Sequence, residues 1–317
     1  MRGNTIWFSI ILGLVLPWVI LMRTEKEIIS DIHPETTAST EVVQPKYLEV
    51  LLPDNSINQM ELEDYVLGVL LGEIPADFED AALCAQAVVA RTFAVKSMRA
   101  GYKHTNSDVC ANSSCCQSYY DPYAYLQDGG RTETVKRFKD AVSSTTGQVL
   151  VYDGSLIEAT YFACSGGKTE DAQAVWGSEI PYLKSVESPG EEQSDYYTDT
   201  VSFSVNEFRN RIDTSLTGLP GTWIGKVTYT QGGGVDTIQL GDSIYTGTQV
   251  RQKLGLRSTA FAICVIGDRV TVTTKGFGHR VGMSQYGADA MAVRGCRYTE
   301  ILAYYYPGTV ITDHNEV

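Results

Sequence analysis

A chain of 317 residues with 38 acidic against 25 basic side chains, net −13, can bury a large core and carry one or two lobes. No basic stripe runs through it, which argues against nucleic acid as a partner.

In chain order, Ile6 to Met22 is an apolar run broken only by Ser9, with Arg2 before it and Arg23 after it. The run has the length of a short membrane span and exceeds a usual signal-peptide core. Leu21-Met22-Arg23 is too bulky for a small-x-small cleavage site. Residues 1–23 therefore read as an uncleaved transmembrane signal anchor, with a cleaved signal peptide as the alternative. Thr24 to Pro45 is rich in Thr, Glu and Ser and reads as a flexible linker, 24–45. Residues 46–312 then form a folded region outside the cytoplasm that carries the chemistry.

Tyr47 to Leu52 predicts a first strand, followed by a Pro53-Asp-Asn-Ser turn. Leu62, Tyr65, Val66, Val69 and Leu70 recur at helical spacing and predict a helix with one buried stripe. Gly72 is expected to end that helix in a left-handed cap, and Pro75 disfavours helix at Ile74. Asp77 and Asp80 offer an N-cap for a second, alanine-rich helix running to about Met98. Glu73 is thereby held in a short, stiff joint between two packed helices. Its apolar neighbours and the negative end of the first helix raise its pKa, while the positive end of the second opposes them. A raised carboxyl pKa suits a general acid. Gln86 and Arg91 are the polar residues on the otherwise apolar second helix.

His104, Cys110, Cys115 and Cys116 follow in one polar loop, which holds three of the seven cysteines and one of the four histidines. Thiolate and imidazole are the donors zinc prefers. His104, Cys110 and Cys116 are the expected ligands, with Cys115 as an alternative or fourth, and a disulfide from Cys110 to one of the adjacent pair is the competing reading. Cys84, Cys264 and Cys296 sit in apolar settings and read as buried free thiols.

Thr132 to Ser144 predicts a helix, and two strands flank an Asp153-Gly154 hairpin turn. The second strand enters Cys164-Ser165-Gly166-Gly167-Lys168-Thr169-Glu170, whose backbone N–H groups suit an anion or a sugar. Its spacing is not that of a nucleotide-binding loop. Glu187 to Asp199 is an acidic loop, and residues 200–258 read as an inserted secondary lobe. Two further strands lead into Gly276-Phe-Gly-His279-Arg-Val-Gly-Met-Ser284-Gln285-Tyr-Gly, where four glycines surround one histidine and let a ligand approach the backbone. The expected class is α+β: a mixed helical and antiparallel β core with an inserted lobe, behind an N-terminal transmembrane helix.

Three separated motifs are similar to one family. Gly72-Glu73-Ile-Pro-Ala with Ala85-Gln86-Ala-Val-Val-Ala-Arg91-Thr, Ser165-Gly-Gly-Lys-Thr-Glu170, and Gly278-His279-Arg-Val-Gly-Met-Ser284-Gln285-Tyr-Gly together resemble the stage II sporulation protein D family, across roughly Tyr47 to Pro307. The resemblance implies a membrane-anchored lytic transglycosylase that cleaves peptide-stripped peptidoglycan strands during spore engulfment. It puts the catalytic glutamate at Glu73, and 1,6-anhydro-muramic ends on the products. Gln86, Arg91, Ser165, Gly166, Thr169, His279, Ser284 and Gln285 would line the glycan cleft. It also implies a structural zinc in the Cys/His loop, and as partners the amidase stage II sporulation protein P and the membrane protein stage II sporulation protein M; a homodimer is allowed for. The cell membrane is the expected location, with the folded part facing the space between the two membranes. Related amidase enhancers suggest an alternative, a wall-binding module that activates a partner amidase. The family commonly has glycine where this chain has Arg280.

Overall fold

The computed structural model describes residues 46–101 and 103–317; the expected anchor and linker lie outside these residues. Among the described residues no helix is long and apolar enough to cross a membrane.

Strands β1 (Tyr47–Leu51) and β2 (Ile57–Glu61) form an antiparallel hairpin, and β2 passes without a break into helix α1 (Leu62–Glu73). Helix α2 (Asp80–Ala100) follows and becomes the axis of the main core. Its alanines Ala82, Ala85, Ala87, Ala90 and Ala94 are buried. Small side chains let neighbours pack close on several sides, so α2 is surrounded rather than laid on a surface. The second helix begins at Asp80, with Glu79 as N-cap and no side-chain cap bond. Asp77 is therefore not the cap; instead Asp289 Oδ1 accepts the Glu79 N–H at 2.8 Å from a distant part of the chain.

The chain continues through β3 (Val109–Cys110), which adds parallel to β1, then α3 (Pro122–Gln127), α4 (Thr132–Ser144), β4 (Gln148–Tyr152), β5 (Ser155–Leu156) and β6 (Tyr161–Phe162). Helix α4 and strand β4 pack on α2. Short helix α5 (Ala172–Trp176) closes this half.

A second apolar core is assembled from β7 (Thr198–Ser204), α6 (Val205–Ile212), the meander β8 (Ile224–Tyr229), β9 (Val235–Leu240) and β10 (Ser243–Thr246), α7 (Gly247–Leu254), β11 (Phe261–Ile266) and β12 (Arg269–Lys275). Phe208 and Trp223 stack at its centre with ring centroids 6.3 Å apart. Both helices carry full capping boxes, Ser204 with Glu207 and Thr246 with Gln249. Strand β7 pairs with β12 over seven residues, so this core runs on to Lys275, past the expected limit at 258. Cys264 lies exposed on β11 rather than buried, and Cys84 and Cys296 are only partly covered. The chain returns to the main core as β13 (Met283–Ser284), parallel to β6, then α8 (Gln285–Val293), α9 (Tyr298–Tyr305) and β14 (Val310–Asp313), which pairs with β4. Helices combined with small, mostly antiparallel sheets make an α+β arrangement.

Arg91 is the largest side chain fully buried in the main core. Its guanidinium bonds Glu63 on α1 through Nε at 2.9 Å and Nη2 at 2.6 Å, and reaches the carbonyls of Gln148 at 3.2 Å and Val142 at 3.3 Å. One cation thus ties α1, α2, α4 and β4 together, and none of its donors is left for a ligand. Removing one partner of such a pair leaves an uncompensated charge. Arg91→Met should destabilise the fold by about 3–5 kcal/mol, read as a fall in the urea midpoint.

Candidate active site

Helix α1 ends at Glu73 itself, with Ile74 N–H still bonded to the Leu70 carbonyl at 3.0 Å. Gly72 lies inside the helix and has no left-handed backbone, so it is not the expected cap. What it supplies is absence of a side chain. A Cβ at Gly72 would stand 3.0–3.1 Å from Ser118 and Tyr119, and one at Gly68, a helical turn earlier, 2.1–2.8 Å from the Tyr119 ring. These two glycines leave a flat strip on which residues 117–120 lie. The Tyr120 N–H bonds the Gly68 carbonyl at 2.9 Å, and Tyr119 stacks on Tyr65 with centroids 5.9 Å apart. That contact brings the Ser118 N–H to Glu73 Oε1 at 2.6 Å.

Glu73 opens into a cleft of about 730 Å³ shared with Tyr161, Trp176, Phe277, His279 and Gln285. It is the one carboxylate among the described residues that line the cleft. Burial raises its pKa above the ordinary carboxylate value, against the opposing pull of the Ser118 N–H and the side chains of Tyr161 and Gln285. Gln285 is buried at the first turn of α8, and its Nε2 has no hydrogen-bond partner of standard geometry. An unpaired amide N–H facing a carboxylate and an open cleft is placed to donate to a ligand.

His279 also lines the cleft, packed against Phe162 and Trp176 at centroid distances of 5.6 and 5.5 Å. Burial, with Arg251 nearby, pushes its pKa down to about 4, so the imidazole is neutral at pH 7. Its Nδ1 accepts the Val281 N–H at 3.1 Å, which assigns the ring proton to Nε2.

The other expected cleft residues are placed elsewhere. Arg91 is consumed by Glu63, and Gln86 is fully buried within α2, with neither amide atom paired. Ser284 caps α8, its Oγ accepting the Gly287 N–H at 3.3 Å. Thr169 is buried against the Val186 and Lys184 carbonyls. The glycine loop does bind an anion, but the anion is the chain's own. Oε2 of buried Glu191 accepts the Ser165 N–H and Oγ–H at 2.8 Å each, the Gly166 N–H at 3.0 Å and the Cys164 thiol at 3.1 Å. Ser165 and Gly166 are therefore held away from the cleft lining, because a carboxylate from the acidic loop fills the nest. Sequence patterning misses Tyr161, Trp176 and Phe277 as cleft residues, since an aromatic in a strand or loop looks the same whether it faces core or cleft.

Arg280 explains its own departure from glycine. It has φ +66°, the left-handed backbone that glycine favours, and it is buried. The strain is offset by bonds from its guanidinium to the Ser165 and Lys168 carbonyls at 2.7 Å, to the Gly232 carbonyl at 2.8 Å and to Glu170 at 3.2 Å. Glu170 in turn accepts the Gly234 N–H at 2.8 Å and the Thr230 hydroxyl at 2.9 Å.

In the Cys/His loop the donor atoms of His104, Cys110, Cys115 and Cys116 lie within 4.8 Å of one another, with His104 Nε2 3.3 Å from Cys116 Sγ. Cys110, Cys115 and Cys116 are all free of disulfides. Three sulfurs and one imidazole nitrogen match the donor set of a closed tetrahedral zinc site, whose bonds of about 2.0–2.3 Å hold ligands within about 4 Å of each other. Cys115 joins the three expected ligands as the fourth donor. Cys115 and Cys116 also line the cleft that holds Glu73.

The burial of Glu73 has a measurable consequence for stability. A carboxyl pKa raised in the folded state means that the fold loses stability as pH rises from the unfolded pKa to the folded one. Glu73→Gln carries no such penalty. Its melting temperature should equal the parent's near pH 4 and exceed it increasingly towards pH 7, measured by calorimetry across that range.

Residues 54–152, from the first turn through α1, the Cys/His loop and β4, match the family described as "Stage II sporulation protein". The chain is 39% identical over 298 residues to stage II sporulation protein D of Bacillus subtilis, covering 92% of this chain and 86% of the relative. It is 39% identical over 265 residues to the protein of the same name from Bacillus amyloliquefaciens, covering 82% and 76%. A more distant similarity, 28% over 300 residues, is to an amidase enhancer of Bacillus subtilis and spans 78% of this chain but 40% of that protein. With Glu73 and His279 facing one cleft and identity running the length of the described fold, the chain belongs to the stage II sporulation protein D family.

Proposed function

We propose that this sporulation protein is a lytic transglycosylase that cuts peptide-stripped peptidoglycan strands during engulfment, with Glu73 as its single acid and base. The observation that carries this reading is that one carboxylate, with its pKa raised, serves the whole cleft. A glycosidase that uses water needs two carboxylates. Intramolecular attack needs only one. Protonated Glu73 gives its proton to the glycosidic oxygen as the C1–O bond breaks. The resulting carboxylate then takes the proton of the sugar's own 6-hydroxyl while that oxygen bonds C1, and Glu73 returns to its starting state with a 1,6-anhydro end formed. The Ser118 N–H occupies Oε1, so the mobile proton belongs on Oε2. Gln285 Nε2 and the His279 ring present polar groups to the sugar, and Trp176 and Phe277 present apolar faces.

His104, Cys110, Cys115 and Cys116 would hold a zinc ion whose contribution is to cross-link the loop that leads into Ser118. The protein is proposed to be anchored by residues 1–23 with its cleft outside the cytoplasm. There it would work with an amidase and a membrane partner, stage II sporulation proteins P and M. The amidase-enhancer similarity favours a second reading, a non-catalytic activator of the amidase.

Incubation with peptide-free glycan strands, followed by mass spectrometry, separates these readings. Anhydro-ended fragments from the parent, with Glu73→Gln slower by at least about a thousandfold, are expected. Reducing ends would sink the transglycosylase, and binding without cleavage would favour the activator. For the metal, one zinc per chain is expected by elemental analysis. His104→Ala and Cys116→Ala should lose the zinc and melting temperature together, whereas a zinc lost at unchanged melting temperature would exclude the structural role.

A further inference from the structure

Cys116, Gln117 and Ser118 leave the Cys/His loop in succession, and Ser118 ends on the acid through its N–H. Gln117, between them, has no part in the reaction described above, yet it is 1% exposed and fully engaged. Its Oε1 accepts the hydroxyl of Tyr65 at 3.2 Å, and its Nε2 donates to the hydroxyl oxygen of Tyr161 at 3.2 Å. Tyr161 in turn lies against Glu73.

A phenol has one proton to give, and an ionised carboxylate can only accept. With an amide N–H occupying the phenol oxygen from one side, the Tyr161 proton has Glu73 as its acceptor. The amide oxygen faces the hydroxyl of Tyr65, whose ring is buried in the core and stacked on Tyr119, and the amide nitrogen faces Tyr161. We propose that Gln117 is a positioning residue for the acid: it fixes the direction of the Tyr161 proton, so that Tyr161 joins the Ser118 N–H in holding Glu73. This rests on the reading of Glu73 as acid and base, and adds what keeps the carboxylate in place between giving the first proton and taking the second. The other titratable groups around this point are Tyr65 on α1, Cys115 and Cys116 of the loop, and His279 in the cleft, neutral above about pH 4.

The test uses the full chain with Gln117→Met, Tyr161→Phe and the double variant. Two quantities are read: kcat and KM on peptide-free glycan, and the titration of the Glu73 carboxyl by 13C NMR of labelled glutamate, its signal identified by its absence in Glu73→Gln. Loss of a donor to the carboxylate moves its titration upwards. Each single variant should raise the Glu73 midpoint and lower kcat about tenfold with KM unchanged. The double variant should behave like Tyr161→Phe alone, since both changes cut one chain. Additive effects, or a Gln117→Met variant with the parent's titration, would overturn the proposal. Should Gln117→Met not fold, Tyr161→Phe, which removes one oxygen, still decides: an unmoved Glu73 midpoint would mean its proton points elsewhere. If the parent cleaves no glycan but the titrations shift as stated, the transglycosylase reading fails and the positioning role stands.

Discussion

The site depends on one close approach, that of residues 117–120 to the glycine strip of α1. Backbone meets backbone there because Gly68 and Gly72 have nothing to interpose, and a methyl at Gly68 would overlap the Tyr119 ring. From this contact follow the Ser118 hydrogen bond to Glu73, the stacking of Tyr119 on Tyr65 and the seat of Gln117. The Cys/His loop ends where this segment begins. The loop, the seating of the segment and the orientation of the Glu73 carboxyl are therefore joined in one run, from Cys110 to Ser118 within nine residues of chain. Native interiors tolerate no slack at such a contact, since a shift of a few tenths of an ångström is already felt by close-packed neighbours.

The two cores meet the site differently. The main core, built round α2, supplies the acid and the segment that orients it, and it is stiffened by the buried Arg91–Glu63 pair. The second core approaches through the Gly232–Gly234 turn, which reaches the glycine loop by way of Glu170 and Arg280. Aromatic groups at this junction, Phe277 and Tyr196, sit under the Arg257 guanidinium at 5.9 and 5.6 Å and form part of the cleft wall.

Much of the fold was legible in the sequence because its signals are local. The apolar period of α1, the alanine content of α2 and the strands on either side of Gly267-Asp268 each depend on neighbours a few residues away. Glu73, His279 and the Cys/His donors could be picked out from local signals too: a stiff helix joint, a glycine-rich run and a cluster of donors in one loop. The main misreadings involve partners far along the chain. Arg91 looked like a ligand-binding cation because Glu63, which neutralises it, lies 28 residues back. Ser165 and Gly166 looked open because their anion, Glu191, stands 26 and 25 residues ahead in a stretch that read as an acidic loop. Gly72 was taken for a helix stop, when the reason for glycine there is a segment 46 residues downstream. Gln117 carries no pattern at all. A glutamine becomes a positioning group only through the tyrosines it lies between, and spacing says nothing of those.

Arg280 has a bearing on how such proteins can be recombined. Its side chain is fastened to the carbonyls of Ser165, Lys168 and Gly232 and to Glu170, while its backbone occupies a conformation that a glycine would take without strain. A glycine at this place would keep the backbone path but leave buried Glu170 without its cation. Exchange of the second core between relatives would leave Glu170 and Arg280 paired but replace the Thr230 hydroxyl, the Gly234 N–H and the Gly232 carbonyl that they bond. The transplantable piece is not the lobe alone: it is the lobe together with positions 170 and 280, which lie outside it in sequence and are bonded to its turn.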